Sequence, residues 1–510
     1  MRTKHYFIFT AMFFVSISTV SAFADSAIPN WVKQVGEYWI TDQIDDDGFV
    51  QVIEYLVQQE IITIPNAESP EGESAASIPS WIKTNSEFWV KGDISDDEFA
   101  VGLEWLINNG VVRVSIQQED AATIESPTSE DTTGLSGEVT IGLILPLTGD
   151  LATHGIENHE GSKFGVEEFN KHLESIGASW HLKMISEDSA TNPVIALEKL
   201  SALNAKGIGI VVGPETSSNI RNIKGYSDSN NMLLISCCSS APALAIPNDS
   251  VFRLVPDDRN QGTAIAKLMQ HEGIEVLVPV WRGDTWGDGL SRAATDSFTN
   301  RGGQVEEGIR YNPESPEFSA SASLLAETVR ESVEEHGAGK VAVLFLGFAE
   351  VLQFMQSASE HDVLDDVRWF GPGANTKEHK LIDDPIGLEF STNIQFTTVQ
   401  FAASKNPTYE KVQEHLTETL GTDPNTFVHS SYDVVWIIGL AMLETQSADV
   451  SLIKEKIPEI AEKYSGAIGP TKLNEAGDLA QADYEVWGIR GAEWIHLGKY
   501  TQSDDSVLLN

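Results

Sequence analysis

The feature that most limits the fold of this chain is a regular alternation of apolar strands and amphipathic helices, which begins near residue 138. Residues 139–146 form a continuous apolar run, residues 157–175 have apolar residues at helical spacing, and a second strand pattern follows at 181–187. Repeated strand–helix units of this kind continue to about residue 370 and predict a parallel sheet with helices on both faces. Because the whole region has about 360 residues, we expect an α/β fold of two lobes with a cleft between them.

Two of the predicted strands end in short loops that are rich in hydroxyl groups. One apolar run ends at Gly213 and is followed by Ser217 and Ser218 at the start of a predicted helix. A second apolar run at 232–235 leads into a small loop at 236–240. Ligands of open α/β sheets bind at the carboxyl ends of the strands, where helix N-termini present unpaired N–H donors. The two loops therefore predict a binding site for a carboxylate or carbonyl group.

The chain of 510 residues is strongly acidic, with 33 Lys and Arg against 76 Asp and Glu and a formal net charge of −43. This charge excludes nucleic acid as a partner, since nucleic-acid binding depends on basic side chains that neutralise phosphates. We interpret the acidic residues as a solvated surface suited to salty surroundings. A specific role in cation binding is the alternative.

Residues 1–24 have the pattern of a secretory signal peptide. A basic start precedes an apolar segment at 6–20, which is short for a membrane-spanning helix, and the sequence AFA at 22–24 matches a cleavage site. We expect cleavage before Asp25, and an uncleaved N-terminal anchor is the alternative. The mature protein is then secreted, as an extracellular, cell-surface or periplasmic protein.

Two segments that precede the α/β region repeat at an offset of 50 residues. Residues 28–65 and 78–115 share apolar residues at helical spacing, so each copy is predicted to be a small two-helix module stabilised by aromatic contacts. The matching pairs are Trp31 and Trp81, Trp39 and Trp89, Ile44 and Ile94, Phe49 and Phe99, Tyr55 and Trp105, and Leu56 and Leu106. We interpret the tryptophans as core residues, and their binding to a wall polymer or a surface partner is the alternative.

The segments at 66–77 and 116–137 are predicted to be linkers. Both are rich in Ser, Glu, Pro and Thr and neither contains Lys or Arg, which is typical of flexible, extended chain. We therefore expect the two modules to form an N-terminal stalk that hangs from the main body.

The chain has only two cysteines, Cys237 and Cys238, and they are adjacent. Adjacent cysteines rarely pair because the small ring strains the peptide bond. We therefore expect two small packed thiols, with a redox or soft-metal role as the alternative. The 12 histidines show no metal-ligand spacing, and no metal or cofactor is expected.

A series of short motifs recurs in order along the α/β region. The motifs are Pro146-Leu147-Thr148-Gly149, Val211-Val212-Gly213, Phe252-Arg253, Trp286-Gly287, Glu317-Phe318-Ser319, Ser431-Tyr432-Asp433-Val434, Gly469-Pro470 and Gly477-Asp478. With them, residues 138–500 resemble the leucine/isoleucine/valine-binding family, the type I periplasmic solute receptors of ABC importers. The resemblance implies two Rossmann-like lobes with three hinge crossings, lobe one at about 138–256 and 397–466 and lobe two at about 257–396 and 467–500.

The resemblance also implies three ligand contacts from the hydroxyl-rich loops. Ser217 takes the position of a carboxylate-binding serine, and Cys238 that of a residue whose backbone meets the ligand. Ser240 takes the position of a hydroxyl that contacts both ends of an amino acid. The alternatives are local: Ser217 as a helix cap and Ser240 as a hydroxyl bonded within its own loop.

Three further residues are implied to cover the ligand. His154 and Trp286 take the positions of aromatic residues on opposite lobes, and Phe348 supplies another wall. A surface position for His154, and core packing for Trp286 and Phe348, are the alternatives.

One position departs from the family pattern. The acid that pairs with the ligand ammonium falls on Gly373, and a glycine cannot neutralise a buried cation. Two alternatives follow from this departure. Either another acid replaces it, with Asp284 and Glu215 as candidates, or the ligand is an amide, a urea-like solute or a carboxylate.

No catalytic motif is convincing. Residues 334–341 resemble the end of a phosphate loop but have Glu334 and Val341 where Gly and Ser or Thr belong, and no G-x-S-x-G elbow is found. We therefore expect no enzyme, but an exported solute-binding protein that delivers an amino acid, an amide or a related compound to the membrane permease of an ABC importer. An extracellular ligand-sensing receptor that signals to a partner and a surface scaffold are the alternatives.

Overall fold

A computed structural model describes residues 36, 39–40, 49–50, 53, 78–91, 94, 96–108, 111 and 134–510. The predicted signal peptide, most of the first repeat and nearly all of both linkers lie outside the described residues. Within the described part, every helix is too short or too polar to span a bilayer.

The second repeat contains two helices, α1 (Ser80–Lys91) and α2 (Asp96–Asn108). Trp89 of α1 stacks on Phe99 of α2 with the ring centroids 3.9 Å apart, and both rings are buried. In the first repeat the equivalent rings, Trp39 and Phe49, also stack at 3.9 Å. The same aromatic contact therefore occurs in both copies, as the sequence repeat predicts.

The first sheet of the α/β region has five parallel strands in the order β2-β1-β3-β4-β5. The strands are β1 (Gly137–Leu145), β2 (Trp180–Asp188), β3 (Ile210–Val212), β4 (Leu233–Ser236) and β5 (Val251–Arg253). The helices between them are α3 (Ala152–Ser175), α4 (Pro193–Ala205) and α5 (Ser217–Ser229). All three residues of β3 are buried because helices cover both faces of the sheet, which explains its continuous apolar sequence.

The chain then crosses once and builds a second parallel sheet. Its strands are β6 (Val276–Arg282), β7 (Gln304–Val305), β8 (Ile309–Tyr311), β9 (Val341–Leu346), β10 (Arg368–Gly371) and β11 (Thr397–Phe401). Its helices are α6 (Asp258–His271), α7 (Thr285–Asn300), α8 (Ser319–His336), α9 (Val351–Ala358), α10 (Asp362–Asp365), α11 (Lys380–Asp383) and α12 (Pro385–Asn393). β6 pairs with β9 in the middle of this sheet, and β10 and β11 continue it on one side.

Two further crossings complete the fold. After β11 the chain returns to the first lobe with α13 (Pro407–Leu420), α14 (Phe427–Thr445) and α15 (Val450–Lys463). A short hairpin of β12 (Ser465–Gly466) and β13 (Gly469–Pro470) leads back, and β14 (Tyr484–Arg490), β15 (Glu493–Thr501) and β16 (Ser506–Leu509) extend the second sheet. The predicted α/β fold of two lobes with three crossings is therefore confirmed.

Two lobe boundaries differ from the sequence expectation. The strand Thr397–Phe401 pairs in parallel with β10 and antiparallel with β14, so lobe two includes this strand and does not end at 396. All five of its residues are buried, which fits a strand with neighbours on both sides. Lobe two also continues past 500, because β16 pairs with β15 as far as Leu509.

The expectation of a free stalk is wrong for the second repeat, because this module packs on the first lobe. Trp81 of α1 meets Tyr226 of α5 edge to face, with the ring centroids 6.1 Å apart. Gly225 permits this close contact, since a Cβ atom there would lie 2.8 Å from the Trp81 Cβ. Phe88 of α1 lies under the Arg221 guanidinium at 4.4 Å. Trp81 is only 4% exposed, which favours its interpretation as a packing residue.

Candidate ligand-binding site

A cavity lies between the two lobes at the carboxyl ends of their parallel strands. The space between the atoms of its walls amounts to about 450 Å³, a figure that includes open solvent. The first lobe contributes Leu151, His154, Glu215, Thr216, Ser217, Cys238, Ser239, Ser240 and Phe427, and the second lobe contributes Gln261, Trp286, Phe348 and Ala374.

All six residues that the sequence assigned to the ligand line this cavity. The structure places them on five elements: His154 on α3, Ser217 on α5, Cys238 and Ser240 in the loop after β4, Trp286 on α7 and Phe348 after β9. Residues up to 194 positions apart, from His154 to Phe348, therefore meet at one place. Their contact with a ligand remains a prediction.

Ser217 is the first residue of α5, but it is not the residue that caps the helix. Thr216 is the cap, since its Oγ1 accepts a hydrogen bond from the Asn219 N–H at 3.3 Å. Ser217 Oγ accepts a hydrogen bond from the Ala241 N–H at 3.2 Å and lies 2.9 Å from Ser239 Oγ. The first N–H groups of a helix have no partner within the helix, so the start of α5 offers donors to an anionic group.

The loop after β4 is fixed by the hydroxyl of Ser236. Its Oγ donates a hydrogen bond to the Pro214 carbonyl at 2.6 Å and accepts one from the Ser239 N–H at 3.1 Å. Because β3 and β4 are adjacent parallel strands, their following loops lie side by side. This arrangement confirms the sequence prediction that the two hydroxyl-rich loops meet.

Cys237 and Cys238 form a disulfide bond with each other, so the expectation of two packed thiols is wrong. Ring strain disfavours this pairing, but the two cysteines lie in a turn that Ser236 Oγ fixes by accepting hydrogen bonds from the Cys238 and Ser239 N–H groups. Cys237 is buried, and Cys238 lines the cavity and accepts a hydrogen bond from Asn158 Nδ2 at 3.4 Å. The disulfide is therefore part of the cavity wall.

Trp286 and Phe348 form an aromatic wall on the second lobe. Their rings stack with centroids 4.7 Å apart and with an angle of 26° between the planes. Behind Phe348 lies the Arg282 guanidinium, 3.8 Å from the ring centroid, and this group forms ion pairs with Asp284 and Glu350. The charge of Arg282 is thus balanced by two carboxylates, and Arg282 itself does not line the cavity.

His154 and Glu215 are the titratable side chains of the cavity wall. Glu215 is 5% exposed, and its Oε2 has no hydrogen-bond partner among the described residues. Burial raises the pKa of Glu215 to about 7, and the nearby Glu157 adds to the rise, while His154 and Asn158 oppose it. Near neutral pH this carboxyl group is therefore divided between its charged and neutral forms.

The structure distinguishes the two acids that were considered in place of Gly373. Asp284 caps α7, with Oδ1 accepting a hydrogen bond from the Gly287 N–H at 2.8 Å, and its Oδ2 lies 2.6 Å from Arg282 Nε. Both oxygens therefore have partners, and Asp284 does not line the cavity. Glu215 does line it and keeps an unpartnered oxygen.

Gly373 lies close to Gln261, a cavity residue that the sequence did not assign to the ligand. The Gly373 N–H donates a hydrogen bond to Gln261 Oε1 at 2.8 Å. A Cβ atom at position 373 would lie 3.2 Å from the Val399 carbonyl oxygen, so there is little space for a side chain. The apolar lining residues Ala374 and Phe427 carried no sequence signal.

Polar contacts join the lobes beside the cavity. Lys377 of lobe two forms an ion pair with Asp423 of lobe one at 2.5 Å. Arg221 of α5 donates a hydrogen bond to Thr285 Oγ1 at the start of α7, at 3.3 Å. Both contacts require the lobes to be close, so the structure is of a closed form.

Two lobes, three crossings and a cavity between the lobes define the class of two-lobed ligand-binding receptors. The family described as the receptor family ligand binding region matches residues 160–492, more than half of the chain. The protein belongs to this family. The predicted fold of the type I periplasmic binding proteins is also confirmed.

Similar proteins occur in archaea and bacteria. The chain is 26% identical over 409 residues to an uncharacterised protein of Methanocaldococcus jannaschii, with 77% of this chain and 95% of that protein covered. It is 25% identical over 361 residues to a Leu/Ile/Val-binding protein homologue of Brucella melitensis, with 69% and 91% covered. The crystal structure of a leucine-binding protein from Thermotoga maritima is similar with a TM-score of 0.63 at 20% identity, and it matches 72% of this chain and 99% of its own.

Proposed function

We propose that this protein is an exported solute-binding protein of an ABC importer and that it binds a small polar organic solute between its lobes. The observation that carries the proposal is the cavity, in which a helix start and several hydroxyl groups face an aromatic wall across the gap between the lobes. The Brucella and Thermotoga proteins are named for Leu/Ile/Val and for leucine. Their names support an amino acid, an amide or a related compound as the solute.

The proposed contacts follow from the chemistry of each wall. The first N–H groups of α5 and the hydroxyl groups of Ser217 and Ser240 are donors for a carboxylate or carbonyl oxygen. Cys238 offers its backbone, and His154 covers the site from α3. Trp286 and Phe348 supply apolar surface for the remainder of the solute.

The proposed mechanism is capture, closure and delivery. A solute that contacts both lobes binds the closed form more tightly than the open form, and it therefore shifts the population toward closure. The contacts of Lys377 with Asp423 and of Arg221 with Thr285 support the closed form, since they join residues of different lobes. The closed protein then docks on the membrane permease. No catalytic step is part of this proposal, and the relatives with a named function are binding proteins.

A sensing role is the second candidate, and one observation favours it. The second repeat contacts α5, whose first turn lines the cavity, and Phe88 of that repeat lies on Arg221, which bonds to the other lobe. Lobe closure could thus be passed to a partner bound by the repeat. Permease and ATPase genes beside this gene would support the importer, whereas a neighbouring kinase or chemoreceptor gene would support the sensor.

A thermal-shift screen of the mature protein with amino acids, amides, urea and short carboxylates tests the proposal. We expect one class of compound to stabilise the protein, by about 2.7 kcal/mol at 100 times its Kd. Ser217→Ala should reduce this gain by about 1–3 kcal/mol, because a donor to the buried ligand is lost. Ser218→Ala is the matched control, since Ser218 is the next residue of α5 but does not line the cavity.

Two results of the screen would contradict these expectations at different levels. If no compound stabilises the wild-type protein, the capture of a small solute is contradicted, and the scaffold hypothesis is favoured. If a compound stabilises Ser217→Ala as much as Ser218→Ala, the protein captures a solute but Ser217 does not hold it.

A further inference from the structure

We infer that Glu215 binds a positively charged nitrogen of the solute, so that the cavity selects amines and amino acids over carboxylates and neutral compounds that lack such a group. This inference rests on the proposed capture of a small solute in the same cavity. It assigns to Glu215 the role that Gly373 cannot perform.

One oxygen of the Glu215 carboxyl group supports this role, although Asn158 also acts on this group. The residue is 5% exposed and lines the cavity, and its Oε2 is buried without a hydrogen-bond partner among the described residues. A buried carboxylate oxygen without a partner is costly, so a ligand, an ion or a water is expected to complete it. The open space beside Glu215 is the cavity itself.

The charge of the cavity wall also favours a cationic partner for Glu215. Among the 13 lining residues none is Lys or Arg, and Glu215 and His154 are the only ones that can carry a full charge. His154, Asn158 and a second acid, Glu157, all on α3, lie near enough to Glu215 to influence its pKa. The carboxylate of Glu157 repels that of Glu215, and the nearest basic side chain is a histidine. A ligand cation would therefore be the strongest available partner for Glu215.

The position of Glu215 in the chain favours an amino acid in particular. It lies two residues before Ser217, and the donor N–H groups of α5 begin immediately after it. One short segment thus presents an anionic acceptor and a set of N–H donors side by side. An α-amino acid carries its ammonium and carboxylate on the same carbon, and the two groups match this pair of neighbouring sites.

Two other acids near the cavity have partners, whereas a third, Asp258, accepts a hydrogen bond from Gln261 Nε2 at 2.7 Å but keeps an Oδ2 that is unpartnered within the described part of the chain and does not line the cavity. Asp284 has both oxygens bonded, to the start of α7 and to Arg282. Glu350 accepts hydrogen bonds from Arg282 and from the Phe348 N–H. Neither lines the cavity, so Glu215 is the acid that a solute in the cavity can reach.

A measurable proton change accompanies this assignment. In the empty cavity, burial raises the pKa of Glu215 to about 7, so the group is largely protonated below that pH. A bound cation favours the ionised carboxylate and lowers its pKa again, which means that binding near or below neutral pH releases a proton. The affinity for a cationic solute should therefore rise with pH and level off once the empty site is ionised.

Isothermal titration of the full mature protein tests the inference with matched probes. The probes are L-leucine, 4-methylpentanoate, which lacks its amino group, and 3-methylbutylamine, which lacks its carboxylate, together with the smaller set L-alanine, propionate and ethylamine. Titration at pH 6.5 in two buffers of different ionisation enthalpy gives the number of protons released. In one of the two sets, we expect an amine-bearing probe to bind and to release up to one proton from the protein. The carboxylate of the same set should bind roughly 10- to 100-fold more weakly.

The variant Glu215→Gln keeps the shape of the side chain and removes its charge. It should weaken the binding of the amine-bearing probe by roughly 10- to 100-fold. It should also abolish the proton release on binding and the pH dependence of the affinity. Glu198→Gln makes the same charge change on an exposed side chain of α4 and should leave all three quantities unchanged. Proton release by the wild-type protein needs no variant, so the test survives if Glu215→Gln fails to fold.

The outcomes separate this inference from the proposed function. If 4-methylpentanoate or propionate binds as tightly as its amino acid, without proton release, the cavity captures a solute but the role of Glu215 is wrong. The same conclusion follows if Glu215→Gln binds the amine-bearing probe as well as Glu198→Gln does. If no probe binds at millimolar concentration, and the thermal-shift screen is also negative, the capture of a solute fails and the inference fails with it.

Discussion

At the scale of single residues, the ion pair of Arg253 and Asp478 is the clearest link between the hinge and the cavity. Arg253 donates from Nε and Nη2 to the two carboxylate oxygens of Asp478, at 2.6 and 2.7 Å, and both side chains are fully buried. Arg253 ends β5 at the first crossing, and Asp478 lies in the third crossing. A third bond runs from Arg253 Nη1 to the carbonyl of Ala241, whose N–H donates to Ser217.

The variant Asp478→Asn should lower the free energy of unfolding of the two-lobed domain by roughly 3–5 kcal/mol, because it leaves the Arg253 charge buried without its anion. Chemical denaturation followed by circular dichroism measures the change. Glu475→Gln alters an exposed acid of the same loop and should cost less than about 0.5 kcal/mol. Equal stability of the two variants would show that the ion pair does not hold the crossings.

The sequence predicted which single residues surround the cavity better than it predicted their bonds. Motif positions led to His154, Ser217 and Trp286, since the residue type and the order along the chain carry that information. The sequence could not give the pairing of Arg253 with Asp478 across 225 residues, because such contacts depend on how distant segments meet. The disulfide of the adjacent cysteines was missed for a related reason, since it depends on the local turn.

At the scale of helices and strands, the main new feature is the contact of α1 with α5. The repeat of aromatic residues predicted two helices and their mutual packing, and the second copy has both. It did not predict that α1 lies on the first lobe, because that contact needs the complementary surface at Gly225 and Tyr226. The misplaced boundary at the strand Thr397–Phe401 has a similar cause, since a buried strand fits either sheet by its sequence.

Replacement of Trp81 with Ala should release the second repeat from the first lobe. The ring is buried between α1, α2 and α5, and loss of a buried Trp side chain costs about 3–5 kcal/mol. Hydrogen exchange of the α5 amides near Tyr226 should become faster in the variant while exchange in the second sheet stays the same. Lys91→Ala, at an exposed position of α1, is the control. Unchanged exchange at α5 in Trp81→Ala would contradict the docked arrangement.

At the scale of the whole molecule, the account depends on two lobes that close around a solute. The resemblance to a known family was sufficient to predict the lobes, the three crossings and the location of the cavity, because these features follow from the order of strands and helices. It was insufficient for the choice of solute, since the acid expected at Gly373 is absent and Glu215 lies in a different segment. The closed form seen here is joined by contacts such as Lys377 with Asp423, which an open form would lack.

The distance between the lobes, measured by single-molecule energy transfer with and without a stabilising compound from the screen, tests this account most directly. Dyes are attached through unnatural amino acids at two exposed positions, Thr419 on α13 of lobe one and Glu389 on α12 of lobe two. A control pair at Ser175 and Thr419 lies within lobe one and should not respond. We predict that the compound raises the transfer efficiency between the lobes by populating the closed form. An efficiency that stays the same at saturating compound would contradict closure around a captured solute.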